Sequence, residues 1–494
     1  MTNNKQISIF EALLPVIILV IILAYNVYVF GDGATGGPNQ FALILGAAVA
    51  AAVGFKNHFS YERMMEFVSK NIKSTSSAIL ILLMVGALAG TWLISGVIPA
   101  MVYYGLQILN PTWFLAATVI ITAIISLATG SSWTTSATIG IALVGIGRTL
   151  GLPEGMVAGA VISGAYFGDK MSPLSDTTNL APAMAGATLF DHIKYMALTT
   201  VPSIIITLVV FIILGFKYES GNMMDHTELL ASIKDTFYIS PVLFLVPVAV
   251  ILMILKKASP LVALLAGTLL AAVFAAIFQP EIVQKIAGAE NGVYNFEVMY
   301  KGIMNAIVDK TYIASGNEIF DAEKLFSAKG MAGMLGTIWL ILCAMVFGGI
   351  MEAIGALERL SNALLSIARS TFGLFANTVG SCVLLNITAS DQYLAIVVPG
   401  RMFSKAYQDK NLAPENLSRT LEDSGTVTSV LIPWNTCGAF QAGVLGVPTL
   451  TYLPFAIFNY LSPIMTLTFA AFGIKIKRLV KKTTIPSGIT DSNF

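Results

Sequence analysis

The sequence predicts an all-α polytopic membrane protein with about ten transmembrane helices and two re-entrant hairpins, arranged as two inverted repeats with broken helices at the midplane. Three observations carry this reading. Of 494 residues, 56% are hydrophobic and 11% charged, against roughly 25% charged in an ordinary soluble domain. Apolar runs long enough to span a bilayer recur along the whole chain. The polar interruptions of those runs come twice, in the same order.

The first run, from Ile7 to Phe30, follows a polar start, Met1–Gln6, that has no cleavage site. It is too long for a signal-peptide core and reads as a retained helix. Further runs lie near 40–55, 76–95, 112–128, 131–147, 153–168, 195–216, 239–255, 260–279, 332–354, 372–388, 426–447 and 449–473. Val97–Asn110 and Ala356–Ser370 are too short to span. The second has Leu357, Leu360, Leu364 and Ile367 on one helical face and Glu358, Arg359 and Arg369 elsewhere, the pattern of a helix lying in the interface.

After each of these short segments an apolar stretch is interrupted by a polar tip and then resumes. The tips are "ATGSSWTTS" at Ala128–Ser136 and "NITASDQY" at Asn386–Tyr393. Polar non-helical backbone survives at membrane depth only where protein or a wet cavity satisfies it. Residues 112–147 and 371–404 therefore read as hairpins, with two ordinary helices joined by a loop as the alternative.

Gly90 and Gly349, Gly96 and Gly355, Thr129 and Thr388, Ser131 and Ser390, Asp176 and Asn435, and Thr177 and Thr436 are 259 residues apart. Pro153-Glu154 and Pro414-Glu415 match at 261. The expected organisation is a first repeat at 1–216 (hairpin about 112–147, broken helix about 153–187) and a linker at 217–238. A second repeat at 239–482 (hairpin about 371–404, broken helix about 414–447) precedes a cytoplasmic tail at 483–494. An odd number of spans per repeat inverts the second copy. Both termini inside puts Lys56, Arg63, Lys70, Lys73, Lys256, Lys257, Arg359, Arg369, Arg401, Lys405, Lys410 and "KIKRLVKK" at Lys475–Lys482 in the cytoplasm. Gly31–Asn39 and Val97–Asn110, outside, hold no Lys or Arg, as positive-inside topology requires. The long loop Pro280–Gly330 falls outside as well.

"YFGDKMSPLSDTTNLAP", Tyr166–Pro182, is the densest polar stretch in apolar surroundings. Ionisable groups within a membrane are costly and usually face a cavity and bind something. Asp169 and Asp176 are seven residues apart, with Pro173 between them; the proline removes a helical hydrogen bond and breaks the helix. Freed carbonyls, Ser172, Ser175, Thr177, Thr178 and Asn179 then offer hard oxygens suited to an alkali cation. The second half offers Glu422-Asp423-Ser424, Thr426, Thr428, Ser429, Asn435 and Thr436, and Asp391 at its tip. Structural roles stand beside these: Lys170 neutralising Asp169, Glu422 and Asp423 capping a helix start, Asp391 capping the second hairpin arm, Trp133 and Trp434 packing. Glu154 and Glu352 fall near helix ends and read as interfacial.

Other chemistries find little support. A net charge of +1 offers nothing to nucleic acid. Cys343, Cys382 and Cys437 lie in apolar segments, and His58, His192 and His226 are scattered, so neither a disulfide framework nor a transition-metal centre is expected. The Gly-x-Gly-Asp motif of intramembrane aspartyl proteases is broken by Tyr166 in Tyr166-Phe-Gly-Asp169. A channel is the other rival, but paired hairpins and broken helices favour alternating access.

"GDKMSPLSDTTNLAPAMAG" at Gly168–Gly186, with "TGSSWTT" from Thr129 and "LIPWNTCGAF" from Leu431, closely resembles the NhaC-type sodium/proton antiporter family, part of the ion-transporter superfamily. The resemblance implies a secondary transporter in the bacterial cytoplasmic membrane exchanging sodium, or lithium, for protons by elevator-type movement. It implies no cofactor and no enzyme activity; the partners are the bilayer and small cations or small organic anions, and a homodimer is compatible. Carried over residue by residue, Thr129, Ser131, Ser132, Thr134, Ser172, Ser175, Thr177, Thr178 and Asn179 form one half of the site. Thr388, Ser390, Asn435 and Thr436 form the other. Asp169 and Asp176 are then the proton and cation carboxylates, with Asp391 and Asp423, offered by the residues of the second half, as further candidates and sodium expected at Asp176, Thr177, Asn179 and Asn435. Asn435 is neutral where the first half has Asp176, which favours ion binding by the first half. The same family name covers sodium- or proton-coupled carriers of organic acids such as malate and lactate, or of amino acids. An organic anion would need Lys170, Arg148 or Arg401.

Overall fold

The computed structural model describes residues 7–108, 111–219, 226–289, 294–316 and 326–479. The expected tail 483–494 lies outside the described residues, as do 220–225 of the linker, 290–293 and 317–325 of the long loop, and 109–110 at the end of the first short segment. Among the described residues the chain is helical apart from a two-stranded antiparallel pair, Thr311–Tyr312 with Ser327–Ala328. Eight helices among the described residues are long and apolar enough to cross a membrane, ten if each of two bent pairs counts as one span.

The first half comprises α1 (Ile9–Phe30), α2 (Pro38–Lys56), α3 (Tyr61–Ser74), α4 (Ser76–Ile94), α5 (Val97–Ile108), α6 (Pro111–Thr129), the single turn α7 (Ser132–Thr135), α8 (Ile141–Thr149), α9 (Glu154–Met171), α10 (Asp176–Ala185) and α11 (Leu189–Glu219). After α12 (His226–Thr236) come α13 (Leu245–Leu255), α14 (Pro260–Phe278), α15 (Pro280–Ala287), α16 (Phe296–Val308), α17 (Leu335–Ala353), α18 (Ala356–Ser366), α19 (Thr371–Thr388), α20 (Gln392–Asp409), α21 (Pro414–Leu421), α22 (Thr436–Leu445), α23 (Thr449–Tyr452) and α24 (Ile457–Ala471).

Two groups of helices form. Around α17 gather α2 and α3, with α1 on α2 and α18, while α4 packs on α14 and α16. The second group is built on α9, which lies along α6 and also touches α8, α11 and α24. The two halves interlock there, because α10 packs against α20 and α21. The helix α5 is packed rather than free in an interface: Val97, Ala100 and Val102 are buried, and it lies against α8. Residues of the two expected hairpins behave differently. The arms α19 and α20 pack on each other, whereas α6 runs along α9 and α11 while α8 lies on α5 and α9.

Small residues make the α9 seams possible, since apolar helices in lipid gain most from close backbone approach. A Cβ added at Gly164 would sit 2.2 Å from the Val119 carbonyl oxygen, and one at Gly168 would sit 2.3 Å from that of Ala123. On the other face Gly155 meets the Thr451 carbonyl in the same way. Gly168→Ala is therefore expected to force α6 from α9 and to cost about 1–3 kcal/mol, the range for overpacking. A lowered melting temperature of the purified protein in detergent checks this.

Candidate functional site

Helix α9 ends at Met171, and Ser172 is extended with φ −84° and ψ 129°. Pro173 has no N–H to continue the ladder, and α10 begins at Asp176 with Ser175 as its N-cap, the Ser175 hydroxyl accepting from the Thr178 N–H. The break frees backbone carbonyls, but side chains take them back. The Thr178 hydroxyl donates to the carbonyls of Asp169 and Lys170 at 3.3 and 3.0 Å. The Asn179 amide donates to those of Pro173 and Ser175 at 2.9 and 2.7 Å. These carbonyls, expected as cation ligands, are thus already satisfied, and Thr178 and Asn179 hold the break in shape.

The second half repeats this local geometry. A ten-residue helix, α22, begins after the N-cap Asn435 and ends at Gly446 in the left-handed region, φ +71°; α10, also ten residues, runs from the N-cap Ser175 to Gly186, φ +81°. By their caps the two helices align Ser175 with Asn435, so Asp176 stands where Thr436 does, one position from the spacing of 259. The second break is still the uncharged one, since the first turn of α22 holds no acid where α10 has Asp176. Asn435 spends its amide on the fold: Oδ1 accepts the Cys437 N–H, and Nδ2 donates to the Asn386 carbonyl at 3.0 Å.

Between the two breaks lies a cavity of about 390 Å³. The first tip lines it with Thr129, Gly130, Ser131, Trp133 and Thr134, and the first broken helix with Asp169, Ser175, Asp176 and Thr177. The second half adds Asp391, Gln392, Tyr393 and Thr436, and Ser74, Thr75 and Ser77 from the α3–α4 junction close one side. Trp133 stacks on Phe440 of α22 with ring centroids 4.1 Å apart, which docks the first tip on the second broken helix. The Trp434 indole N–H donates to the Ile387 carbonyl and ties the second tip to the same element. Ser390 bends that tip with φ +58°, a left-handed conformation that few non-glycine residues adopt, and its carbonyl accepts the Thr436 N–H.

The carboxylates differ in what already holds them. Asp169 is buried, and its Oδ2 accepts the Ser132 backbone N–H at 3.0 Å and hydroxyl at 2.7 Å. Asp391 lines the cavity but also caps α20, its Oδ1 accepting the N–H groups of Tyr393 and Leu394. Asp176 is exposed and has no hydrogen-bond or ion-pair partner among the described residues. Asp423 is fully buried away from the cavity and accepts from Lys170 Nζ, Ser462, Thr199 and Thr466. Lys170 therefore neutralises Asp423 across the two halves rather than its neighbour Asp169.

Of the remaining expected ligands, Ser132, Ser172, Thr388 and Ser390 stand behind the lining. Ser172 accepts the Leu174 N–H and Thr388 donates to the Leu384 carbonyl. Of the four groups expected to share sodium, Asp176 and Thr177 line the cavity and Asn179 and Asn435 do not; the Asn179 Nδ2 donates to backbone carbonyls, and the Asn435 Oδ1 accepts the Cys437 N–H.

The sequence offers Glu422 both as an oxygen donor of the second half and as a helix cap, and the family resemblance does not carry it into the site. Its side chain is fully buried and accepts the Thr177 hydroxyl at 3.0 Å. It does not cap a helix, because α21 already starts at Pro414 and Glu422 opens a π-helical turn, Glu422–Thr426, in mid-element. Such turns often mark functional sites. The available signal was Pro414-Glu415, a helix start that leaves Glu422 two turns inside.

A model of the Na+/H+ antiporter family matches residues 164–474. The Na(+)/H(+) antiporter NhaC of Alkalihalophilus pseudofirmus is 36% identical over 434 residues, covering 88% of this chain and 90% of that protein. The Na(+)/H(+) antiporter NhaC of Bacillus subtilis is 35% identical over 427 residues, 86% of this chain and 90% of its own. The malate-2H(+)/Na(+)-lactate antiporter of Bacillus subtilis is 34% identical over 480 residues, 96% of this chain and 95% of its own.

Proposed function

The chain belongs to the Na+/H+ antiporter family, and from that premise we propose that it is an integral membrane transporter exchanging sodium, or lithium, for protons across the bacterial cytoplasmic membrane. The observation that carries the reading is the cavity where Asp169 and Asp176, the latter without a partner among the described residues, stand with hydroxyls of the first polar tip and of Thr436 at the second break. A hard cation gives up its water only to a shell of hard oxygens, and the serines, threonines and carboxylates here are of that kind. Where a proton and a cation compete for one carboxylate, binding of either expels the other. Exchange follows when the loaded site is presented to each side in turn.

The two repeats, 1–216 and 239–482, are inverted, with residues 112–147 and 371–404 re-entering from opposite faces. The matched caps of α10 and α22 support the duplication. Both termini lie inside, the site moves elevator-like with the group built on α9, and the carrier works with no cofactor, as a monomer or homodimer. The sodium ligands are Asp176, Asp169, Thr177 and the tip hydroxyls, with Asn179 and Asn435 shaping the breaks behind them.

The second reading, a sodium- or proton-coupled carrier of an organic acid or amino acid, is favoured by the name of the malate/lactate relative. Such an anion needs a cation in its site. The cavity lining holds no lysine or arginine; Lys170 is bound to Asp423, and Arg148 pairs with Glu154 at 2.7 Å. This favours a cation as cargo. In everted vesicles with a preset proton gradient, added sodium is expected to dissipate the gradient. No response to sodium or lithium, together with uptake of labelled malate or lactate, would replace this reading with the second.

A further inference from the structure

We propose that Glu422 is a separate proton carrier, buried behind Thr177 and connected to the cavity by hydroxyls. The proposal rests on the sodium/proton reading of the cavity.

Glu422 and Asp423 are neighbours with opposite circumstances. Both oxygens of Asp423 are occupied, by Lys170 and three hydroxyls. Glu422 is as deeply buried but has one hydrogen bond of ordinary geometry, from Thr177 to Oε1; beside it stands the Thr426 hydroxyl, which closes the same π-helical turn, and neither Oε2 nor that hydroxyl has another partner among the described residues. A carboxylate taken out of water without a compensating partner keeps its charge at a cost of several kcal/mol. Something must neutralise it, and Lys170 is committed next door. An alkali cation would need several oxygens to replace its water, and the hydroxyls that meet Glu422 among the described residues are those of Thr177 and Thr426. A proton needs a single oxygen.

The route is short. Thr177 and Ser175 both line the cavity, and their hydroxyl oxygens are 3.2 Å apart. With Glu422 ionised, the Thr177 hydroxyl proton passes to Oε1, the Ser175 hydroxyl proton passes to Thr177 Oγ1, and a hydronium ion in the cavity reprotonates Ser175. One proton enters, a water molecule is left in the cavity, and Glu422 ends neutral. Release to the other side reverses these steps.

The charged groups around Glu422 are Lys170 and Asp169 of α9, Asp423 next to it in the chain, and the buried Arg419 one turn earlier, whose guanidinium lies over the Tyr195 ring. From α10 comes Asp176, beside Thr177; α19 brings the buried Cys382 thiol near Ser424, α24 brings the hydroxyls of Ser462 and Thr466, and α20 meets this turn through Ala395 and Ile396. A cation arriving at Asp169 and Asp176 therefore adds positive charge on the cavity side of Glu422 and drives its proton off. That is the coupling an antiporter requires.

The test compares wild type, Glu422→Gln and Glu422→Asp in proteoliposomes, with two readouts: sodium-driven proton movement and exchange of radiolabelled sodium at equal pH on both sides. Glu422→Gln is expected to move fewer protons per sodium ion, to keep sodium exchange, and to weaken the pH dependence of that exchange. Glu422→Asp, which keeps the acid, is expected to restore part of the proton movement and shows that the position tolerates change. Wild-type proton coupling in Glu422→Gln overturns the proposal. So does a folded Glu422→Gln protein, monodisperse with an unchanged melting temperature, that exchanges no sodium, since Glu422 would then belong to the sodium site. Wild-type liposomes that move malate and no sodium would overturn the sodium reading; Glu422 would then be judged by whether Glu422→Gln uncouples malate from protons.

Discussion

The Asp176→Asn protein is expected to insert and fold, and yet to leave a preset proton gradient untouched when sodium is added to everted vesicles. Asp176 is exposed to the cavity and holds no partner among the described residues, so the change breaks no contact. It is the first residue of α10, where a negative charge contributes about 0.3–1 kcal/mol through the helix dipole. The expected loss of stability is within that range. The function loses far more, because the cavity gives up its one carboxylate with no competing donor. Asp169→Asn serves as the contrast. Its Oδ2 accepts two donors from Ser132, and charge-assisted bonds contribute about 1.5–3 kcal/mol each. That variant is expected to lose both exchange and thermal stability, since the first tip loses its anchor. An Asp176→Asn protein with wild-type sodium response would remove Asp176 from the ion path.

The largest effect on stability is expected at the buried pair of Lys170 and Asp423. Both side chains are fully buried, and the pair joins α9 to the turn after α21. Removing one partner leaves an unpaired charge, which costs about 3–5 kcal/mol. Lys170→Met and Asp423→Ala are each expected to lower the yield and the melting temperature sharply. The double variant Lys170→Met/Asp423→Leu is expected to recover much of the loss, because apolar replacement of a whole buried pair is often close to neutral. Recovery is incomplete, since Thr466 and Ser462 lose their acceptor. Transport by the double variant decides the role of Asp423. A stable protein that still exchanges sodium for protons makes the pair a structural tie. One that is stable and inactive makes Asp423 an ion carboxylate.

Much of the first half of the site was legible. Pro173 between two polar runs announced a break, and the break falls at Ser172–Ser175. The tip expected at Ala128–Ser136 contains the turn between α6 and α7. The second half was harder. Asn435 reads as a ligand, and its sequence surroundings do not tell that Asn386 stands near enough to take its amide. Glu422 and Asp423 are adjacent acids with no local feature to separate them. Lys170, about 250 positions earlier, chose one, and Thr177 took the other.

By itself the sequence determined that this chain folds in lipid and that its polar interruptions form two sets, because the cost of moving each side chain from water to hydrocarbon is a local property of the residue. Only the tertiary structure decided which members of those sets remain open to an ion. A buried polar group is withdrawn from ligand binding once another part of the chain satisfies it. The partners that do so, Ser132 for Asp169, Lys170 for Asp423 and Asn386 for Asn435, meet their targets only when the two halves close on one another.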